Sequence, residues 1–170
     1  HIVVIPTASV YADRAATEKV CRDRFLCRFQ ERACKSLVLL HTRDRRHADR
    51  DEFVAPLRKA TAVWIAGGDQ NRLAEAYLGT AVERELAALH QRGGAIGGTS
   101  AGAAIMSRRM IAGGNAAPLL GKGFDLLPGA IIDQHFLVRR RMTRLAAAVE
   151  YHGDCYGLGI DEGAAVVVHR

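Results

Sequence analysis

A single serine lies in a run of very small residues, Gly98-Thr99-Ser100-Ala101-Gly102. The pattern fits G-x-S-x-G, in which a sharp strand-to-helix turn exposes the serine oxygen beyond the end of a sheet. Small neighbours let the turn close, and the amide N–H that follows the serine points to the place where an oxyanion would form. This spacing favours nucleophilic acyl transfer. The alternative is a close-packed glycine joint in which Ser100 only caps a helix.

A serine hydroxyl is a poor nucleophile at neutral pH unless a base assists it. Of the seven histidines, only His135 directly follows a predicted strand, in AIIDQHF, and it is therefore the candidate base. The others lie near the termini, in charged loops or on predicted helix surfaces. Asp161 and Glu162 follow the predicted strand GLGI, and either acid could orient the imidazole. Asp133 is close to His135 in sequence and is a less obvious partner.

Apolar runs alternate with amphipathic segments along the chain. Strands are predicted over residues 2–5, 37–40, 62–66, 95–98, 131–132, 157–160 and 165–168. Helices are predicted over 13–34, 53–59, 71–78, 81–91, 101–110 and 136–151, with a glycine-rich loop over 113–129. Because the strands do not alternate polar and apolar residues, we expect an α/β fold, with a mostly parallel sheet and helices on both faces. Ligands bind beyond the carboxyl ends of such strands, where GGDQ, GGTSAG and DQH occur.

The composition limits the classes of partner and cofactor. The net charge is +6, but no aromatic residues interleave with the basic ones, so we expect solvated helix surfaces and no nucleic-acid partner. The four cysteines form no CxxC pair, which predicts free thiols and no metal site. The sequence contains no transmembrane run, and we expect no membrane partner and a cytoplasmic location. Apolar runs at both ends predict a piece of a longer protein.

Four segments, in this order, resemble the serine peptidase family that includes cyanophycinase and aspartyl dipeptidase (peptidase E): AVWIAGGDQNRL, GGTSAGAAIMS, LLPGAIIDQHFLVRRRMTRL and GLGIDEGAAVVV. The similarity extends from about residue 2 to residue 168. It implies a flavodoxin-like three-layer sandwich similar to class I glutamine amidotransferases, with serine in place of their cysteine. It also implies one α/β peptidase domain over residues 1–170 that lacks the family's N-terminal strand and its last strands.

The resemblance assigns roles to individual residues. Ser100 is expected to be the nucleophile, His135 its base and Glu162 the orienting acid. The backbone N–H groups of Gly68 and Ala101 would form the oxyanion hole. The expected substrate contacts are Asp69, Gln70, Asp133, Gln134, Arg139 and Arg141. Arg144 completes the family's R-x-R-x-x-R pattern. Because these three arginines cannot share one helix face, we expect only one or two of them to touch substrate, Arg141 first.

The implied substrate is cyanophycin, a polyaspartate whose side-chain carboxyls carry arginine through isopeptide bonds. The implied reaction releases β-aspartyl-arginine dipeptides through an acyl-enzyme on Ser100. Arginines can bind the free α-carboxylates of the polymer, and Asp, Glu and Gln can bind its guanidinium groups. Two alternatives stay open: an enzyme acting on small aspartyl peptides, and a catalytically silent binding relative. The resemblance implies no cofactor and suggests a homodimer.

Overall fold

The computed structural model describes residues 1–14, 19 and 34–169. The helix predicted over residues 13–34 therefore lies largely outside the described residues, as do Cys21 and Cys27. The chain divides into two compact units, His1–Gly102 and Ala103–Arg170. The single domain predicted over residues 1–170 stays a prediction.

The first unit contains a sheet of four parallel strands. These are β1 (Ile2–Ile5), β2 (Leu37–Leu39), β3 (Ala62–Ile65) and β4 (Ala95–Gly98), in the order β2-β1-β3-β4. Val3, Val4 and Ile5 are all buried although successive side chains point to opposite faces, so both faces of β1 are covered. This double burial explains why β1 shows no polar–apolar alternation in sequence. The predicted α/β class with a mostly parallel sheet is confirmed.

Four helices connect or follow these strands. They are α1 (Arg45–Ala48), α2 (Asp51–Lys59), α3 (Gln70–Tyr77) and α4 (Ala81–Gln91). Each of α2, α3 and α4 buries one apolar stripe, with Leu57, Leu73 and Leu86 fully inaccessible to solvent. Asp69 caps α3, because its side chain accepts a hydrogen bond from the N–H of Asn71 at 2.9 Å. Among the described residues, no helix has both the length and the apolar character that crossing a bilayer requires.

The second unit contains two small sheets. A short helix α5 (Ala101–Ala104) leads from β4 into β5 (Arg109–Gly113), which pairs antiparallel with β6 (Leu119–Lys122). The strands β7 (Ala130–Gln134) and β8 (Tyr156–Ile160) pair in parallel, and α6 (Met142–Tyr151) connects them. Ile111, Ile131, Phe136 and Leu145 form a shared core for these elements.

Four predicted elements differ from the observed ones between residues 101 and 168. The helix predicted over 101–110 ends at Ala104, and the loop predicted over 113–129 contains β6. The helix predicted over 136–151 begins only at Met142. The strand predicted over 165–168 is not formed, and Val166, Val167 and Val168 are exposed. Short apolar runs do not distinguish helix from strand, and the tertiary partner decides.

Candidate functional site

The turn between β4 and α5 has the conformation that the G-x-S-x-G pattern predicts. Ser100 has a φ of +51°, in the left-handed region that residues with a side chain seldom adopt. The turn is held by hydrogen bonds from the Thr99 N–H to the Ile65 carbonyl at 3.1 Å and from the Gly102 N–H to the Thr99 carbonyl at 2.8 Å. An ordinary helix N-cap has an extended conformation, so the observed φ disfavours the reading of Ser100 as a simple cap.

The small residues around Ser100 are required by close backbone approach. A Cβ at Gly102 would lie 2.0 Å from the carbonyl oxygen of Ile65, which leaves no room for any side chain. A Cβ at Gly67 would lie 3.2 Å from the Cβ of Ser100. The two loops that follow β3 and β4 therefore pack directly against each other, with the serine at their junction. A serine exposed by such a turn is suited to nucleophilic attack.

The loop Gly67–Gln70 follows β3 at the same edge of the sheet as Ser100, because Ile65 pairs with Gly98 in parallel register. Gly68 has a φ of +142° and is exposed, whereas Asp69 and Gln70 are partly buried at the start of α3. Asp69 uses its side chain as the cap of α3 and its N–H to donate to the Ala8 carbonyl at 3.0 Å. The predicted oxyanion-hole residue Gly68 thus lies in a loop that is anchored on both sides.

In the second unit, His135 directly follows β7 and Glu162 lies two residues beyond β8. Because Gln134 pairs with Ile160 in parallel register, both side chains emerge at the same edge of this sheet. The Nδ1 of His135 forms a hydrogen bond with Oε1 of Glu162. The His135 side chain is 23% exposed and that of Glu162 is 63% exposed. With Nδ1 engaged by the carboxylate, proton exchange with a nucleophile falls to Nε2.

The two acids that the sequence left open have different contacts. Glu162 contacts the imidazole, whereas Asp161 accepts hydrogen bonds from the N–H groups of Leu137 and Val138, both at 3.1 Å. Asp161 therefore holds the turn that follows His135, whereas the Glu162 carboxylate is bonded to the ring, and its role as the orienting acid stays a prediction. His135 itself has a φ of +54°, a second left-handed residue with a side chain.

The turn after His135 is also fixed by packing. A Cβ at Gly159 would lie 2.4 Å from the ring of Phe136, so this position in β8 needs glycine for the ring to fit. The N–H of Phe136 donates to the Ile160 carbonyl at 3.2 Å, and the Arg141 N–H donates to the Phe136 carbonyl at 2.9 Å. Anchoring on both sides of the histidine restricts the directions in which the imidazole can point.

Asp133 has a structural role in the second unit that its predicted substrate contact did not anticipate. Its carboxylate is 1% exposed and accepts hydrogen bonds from Arg144 through Nε at 2.9 Å and Nη2 at 2.5 Å. Nη1 of Arg144 donates to the Gly114 carbonyl at 2.6 Å. The carboxylate is enclosed by protein and is occupied by a buried ion pair, and a substrate contact of Asp133 stays a prediction. Arg144, 6% exposed, is likewise withdrawn from solvent.

The two other predicted arginines lie in the turn before α6. Arg141 donates through Nη1 to the carbonyl of Gln134 at 2.5 Å and to its Oε1 at 3.0 Å, while Arg139 is exposed. The Arg141 side chain is 16% exposed. Burial lowers the pKa of the Arg141 guanidinium, and the positive charge of Arg144 acts in the same direction. A carboxylate ligand at Arg141 would therefore relieve an incompletely balanced charge.

Sequence reasoning missed one polar cluster, at the carboxyl ends of β1 and β2. It consists of Thr7, Asp13, His41, Arg43 and Tyr77. No functional role was predicted for His41. The position of Thr7 and His41 in the sequence could have indicated this cluster, since each of them follows a strand of the sheet that carries Ser100. Among the described residues, no group of three or more His, Cys, Asp or Glu side chains is placed to hold a metal ion.

The sequence model of peptidase family S51 matches residues 1–170. The chain belongs to peptidase family S51. This membership confirms the family resemblance that the four sequence segments carry. In this S51 chain, the features of greatest chemical interest are the turn between β4 and α5 that carries Ser100, called the elbow below, and the His135–Glu162 pair.

Curated relatives of this S51 chain include several proteins named cyanophycinase. The protein from Geminocystis herdmanii is 35% identical over 177 residues, covering 99% of this chain and 63% of the relative. The protein from a Nostoc species is 35% identical over 179 residues, covering 100% of this chain and 58% of the relative. The protein from Synechococcus elongatus is 37% identical over 169 residues, covering 95% and 51%. The chain thus spans between about half and two thirds of the length of these relatives.

Solved structures agree on the fold. A peptidase from an acI-B1 Actinobacterium superposes with a TM-score of 0.68 at 23% identity, covering 95% of this chain and 67% of that one. A Listeria monocytogenes protein proposed to be a peptidase E superposes with a TM-score of 0.57 at 17% identity, covering 92% and 76%. At these identities the likeness concerns the fold, and it supports the α/β sandwich expected from the sequence.

Proposed function

We propose that this S51 chain is the catalytic part of a serine-type exopeptidase that degrades cyanophycin. The observation that carries the proposal is the left-handed conformation of Ser100, with φ of +51°, in a turn between strand β4 and helix α5. A strained serine at such a turn is typical of an exposed nucleophile. The oriented pair of His135 and Glu162 supplies the second requirement, a base whose Nδ1 is held by a carboxylate.

In the proposed reaction, Oγ of Ser100 attacks a main-chain carbonyl carbon between two aspartates, and Nε2 of His135 accepts the hydroxyl proton. The N–H groups of Gly68 and Ala101 donate to the oxyanion of the tetrahedral intermediate. The C–N bond then breaks, and the imidazolium returns the proton to the departing amine. Water hydrolyses the acyl-enzyme by the same proton route and restores the serine. Because the isopeptide bonds stay intact, the product is β-aspartyl-arginine.

Arg141 is the proposed site for the free α-carboxylate of a substrate arginine. Its contacts in the described part of the chain use Nη1, so the Nε and Nη2 edge suits a two-point hydrogen bond to a carboxylate. Asp69, Gln70 and Gln134 remain proposed acceptors for the substrate guanidinium, and exposed Arg139 a second cationic contact. The names of the curated relatives, at 35–37% identity, support the polymer as substrate.

The deciding experiment measures release of β-aspartyl-arginine from insoluble cyanophycin granules by the purified protein, in parallel with hydrolysis of small aspartyl peptides. We expect release from the granules, and we expect Ser100→Ala to abolish it by several orders of magnitude while granule binding persists. Ser36→Ala is the matched control, because Ser36 precedes β2 at the opposite edge of the same sheet. Full activity in Ser100→Ala would refute the proposed nucleophile.

The same assay separates the two alternatives. Turnover of small aspartyl peptides with no release from granules would favour an aspartyl dipeptidase-like enzyme. Binding of granules without hydrolysis of any aspartyl substrate would favour a catalytically silent relative. The homodimer and the cytoplasmic location stay predictions, and light scattering of the purified protein tests the first.

A further inference from the structure

The backbone of Thr7–Ser9 packs directly against the loop that follows β3. A Cβ at Gly68 would lie 2.2 Å from the Ala8 carbonyl oxygen and 2.9 Å from the Ser9 nitrogen, so no atom separates the two loops. The Ala8 carbonyl also accepts the N–H of Asp69 at 3.0 Å. The position of the Gly68–Asp69 turn is therefore determined by the position of Ala8, which is fully buried.

Arg43 holds the two carbonyls on either side of Ala8. Its Nη1 donates to the Thr7 carbonyl at 3.1 Å and its Nη2 donates to the Ser9 carbonyl at 2.8 Å. Its Nε donates to Oδ2 of Asp13 at 2.8 Å. The guanidinium is planar and rigid, so three simultaneous bonds fix the Thr7–Ser9 segment in a way that a single ammonium group cannot.

A chain of hydrogen bonds holds the same segment from its side-chain face. The Thr42 N–H donates to the Tyr77 hydroxyl at 3.2 Å, and that hydroxyl lies 2.7 Å from Oγ1 of Thr7. Thr7 Oγ1 lies 2.8 Å from Nδ1 of His41, whose Nε2 lies 2.9 Å from Oδ1 of Asp13.

Every member of this chain can have its hydrogen-bonding needs met in one direction. With the His41 proton on Nε2, the Tyr77 hydroxyl donates to Thr7, Thr7 donates to Nδ1 of His41, and Nε2–H donates to Asp13. Burial raises the pKa of the Tyr77 hydroxyl, which keeps it a donor at neutral pH. The bonds to Arg43 and His41 lower the pKa of Asp13, which keeps it an acceptor. Asp13 thus joins the guanidinium to the chain.

We propose that Arg43 is a positioning residue for the peptidase reaction, because it fixes Thr7–Ser9 and thereby the Gly68–Asp69 turn. The inference rests on the proposed function, which assigns the Gly68 N–H to the oxyanion hole. That N–H acts on the tetrahedral intermediate and not on bound substrate, so its displacement lowers kcat and leaves KM nearly unchanged. The three bonds of the Arg43 guanidinium, to the Thr7 carbonyl, the Ser9 carbonyl and Asp13, are called the clamp below. Loss of the clamp should lower kcat roughly 10- to 100-fold, the range expected for a displaced hydrogen-bond donor.

The kinetic test compares Arg43→Ala and Arg43→Lys with Arg46→Ala in the full protein. Arg46 lies three residues away in α1 with an exposed side chain, so its removal makes the same change of charge without touching the clamp. We expect a reduced kcat with KM within about twofold for Arg43→Ala, a smaller reduction for Arg43→Lys, and wild-type values for Arg46→Ala. Unchanged kcat in Arg43→Ala, or an equal loss in Arg46→Ala, would overturn the inference.

A second measurement does not depend on activity. Amide hydrogen exchange at Asp69, whose N–H is bonded to Ala8, should accelerate in Arg43→Ala and stay at the wild-type rate in Arg46→Ala. If Arg43→Ala does not fold, Asp13→Asn replaces it, since this change removes the carboxylate charge that both the guanidinium Nε and His41 Nε2 contact and keeps the arginine that bonds the two carbonyls. Unchanged exchange at Asp69 refutes the clamp. A different result would be accelerated exchange at Asp69 in Arg43→Ala together with a wild-type protein that hydrolyses no aspartyl substrate. This result would refute the proposed function and the expected effect of Arg43 on kcat, but it would support the positioning of the Gly68–Asp69 turn by Arg43.

Discussion

Replacing Arg144 by methionine should strongly destabilise the second unit. The change leaves the Asp133 carboxylate, 1% exposed, without its two bonds from Arg144 at 2.9 and 2.5 Å. Breaking a buried ion pair by removing one partner typically costs about 3–5 kcal/mol, because the remaining charge is buried and uncompensated. Arg141 still lies 3.4 Å from Asp133, which places the expected loss near the lower end, at about 3 kcal/mol.

The double variant Asp133→Leu/Arg144→Met separates the penalty of an unpaired charge from the net contribution of the pair. Both charges are then absent, and apolar side chains of similar volume fill the space. Such replacements of a whole buried pair are often close to neutral, so we expect the double variant to lie within about 2 kcal/mol of wild type. The remaining loss comes from the Gly114 carbonyl, which no longer receives Nη1 of Arg144.

The free energy of unfolding is measured by urea denaturation of wild type, both single variants and the double variant. Arg108→Met is the matched control, since Arg108 is 72% exposed and its ion pair with Asp125 is 3.7 Å long. An exposed pair of this kind contributes about 0–1 kcal/mol. A loss below about 1 kcal/mol in Arg144→Met, or single-variant losses that simply add in the double variant, would refute the reasoning.

Three further predictions concern the elbow, the histidine and the buried tyrosine. Gly102→Ala should lower the free energy of unfolding by at least about 1–3 kcal/mol, because the added Cβ would lie 2.0 Å from the Ile65 carbonyl oxygen. Thermal unfolding measures this loss, and a Tm equal to that of wild type would contradict the prediction. Glu162→Gln should lower kcat by roughly 10²-fold with little change in KM, because an amide can stabilise the wrong tautomer of His135. Steady-state kinetics that match wild type would exclude Glu162 as the orienting group. Burial raises the pKa of Tyr77 above 10.0, so its contribution to stability is complete below that pH and is lost as the pH rises through the folded-state value. Tyr77→Phe should therefore flatten the decline in the free energy of unfolding above pH 10.0, and parallel declines in the two proteins would count against the assignment.

The strands of the first unit were predictable from sequence because they are defined locally. Buried runs such as residues 2–5 and 62–65 lie between clear turn signals, and strands that are covered on both faces read as continuous apolar segments. The elbow was predictable for the same reason. Close backbone approach at Gly102 excludes every side chain, and the requirement for small residues is visible in the sequence around Ser100. Position after a strand was enough to predict the turn at Ser100, and its role as the nucleophile stays a prediction.

The second unit was less predictable because its elements depend on distant partners. The segment 101–113 is small and apolar throughout, and only the pairing of Arg109–Gly113 with Leu119–Lys122 makes its second half a strand. The choice between Asp161 and Glu162 depended on side-chain direction, which spacing does not encode. The ion pair of Asp133 was not predicted, because its partner Arg144 is eleven positions away and beyond a turn that sequence patterns did not reveal.

The arginine pattern at positions 139, 141 and 144 divides into three environments, for a reason other than the one that sequence suggested. The prediction assumed one helix with several faces, but α6 begins at Met142, and Arg140 has a φ of +51° in the preceding turn. Arg139 is exposed, Arg141 is anchored by Gln134 yet 16% exposed, and Arg144 is enclosed with Asp133. An arginine that binds a carboxylate must be both held in place and accessible, since an unrestrained side chain loses entropy on binding and a buried one cannot be reached. Of the three, Arg141 alone meets both conditions.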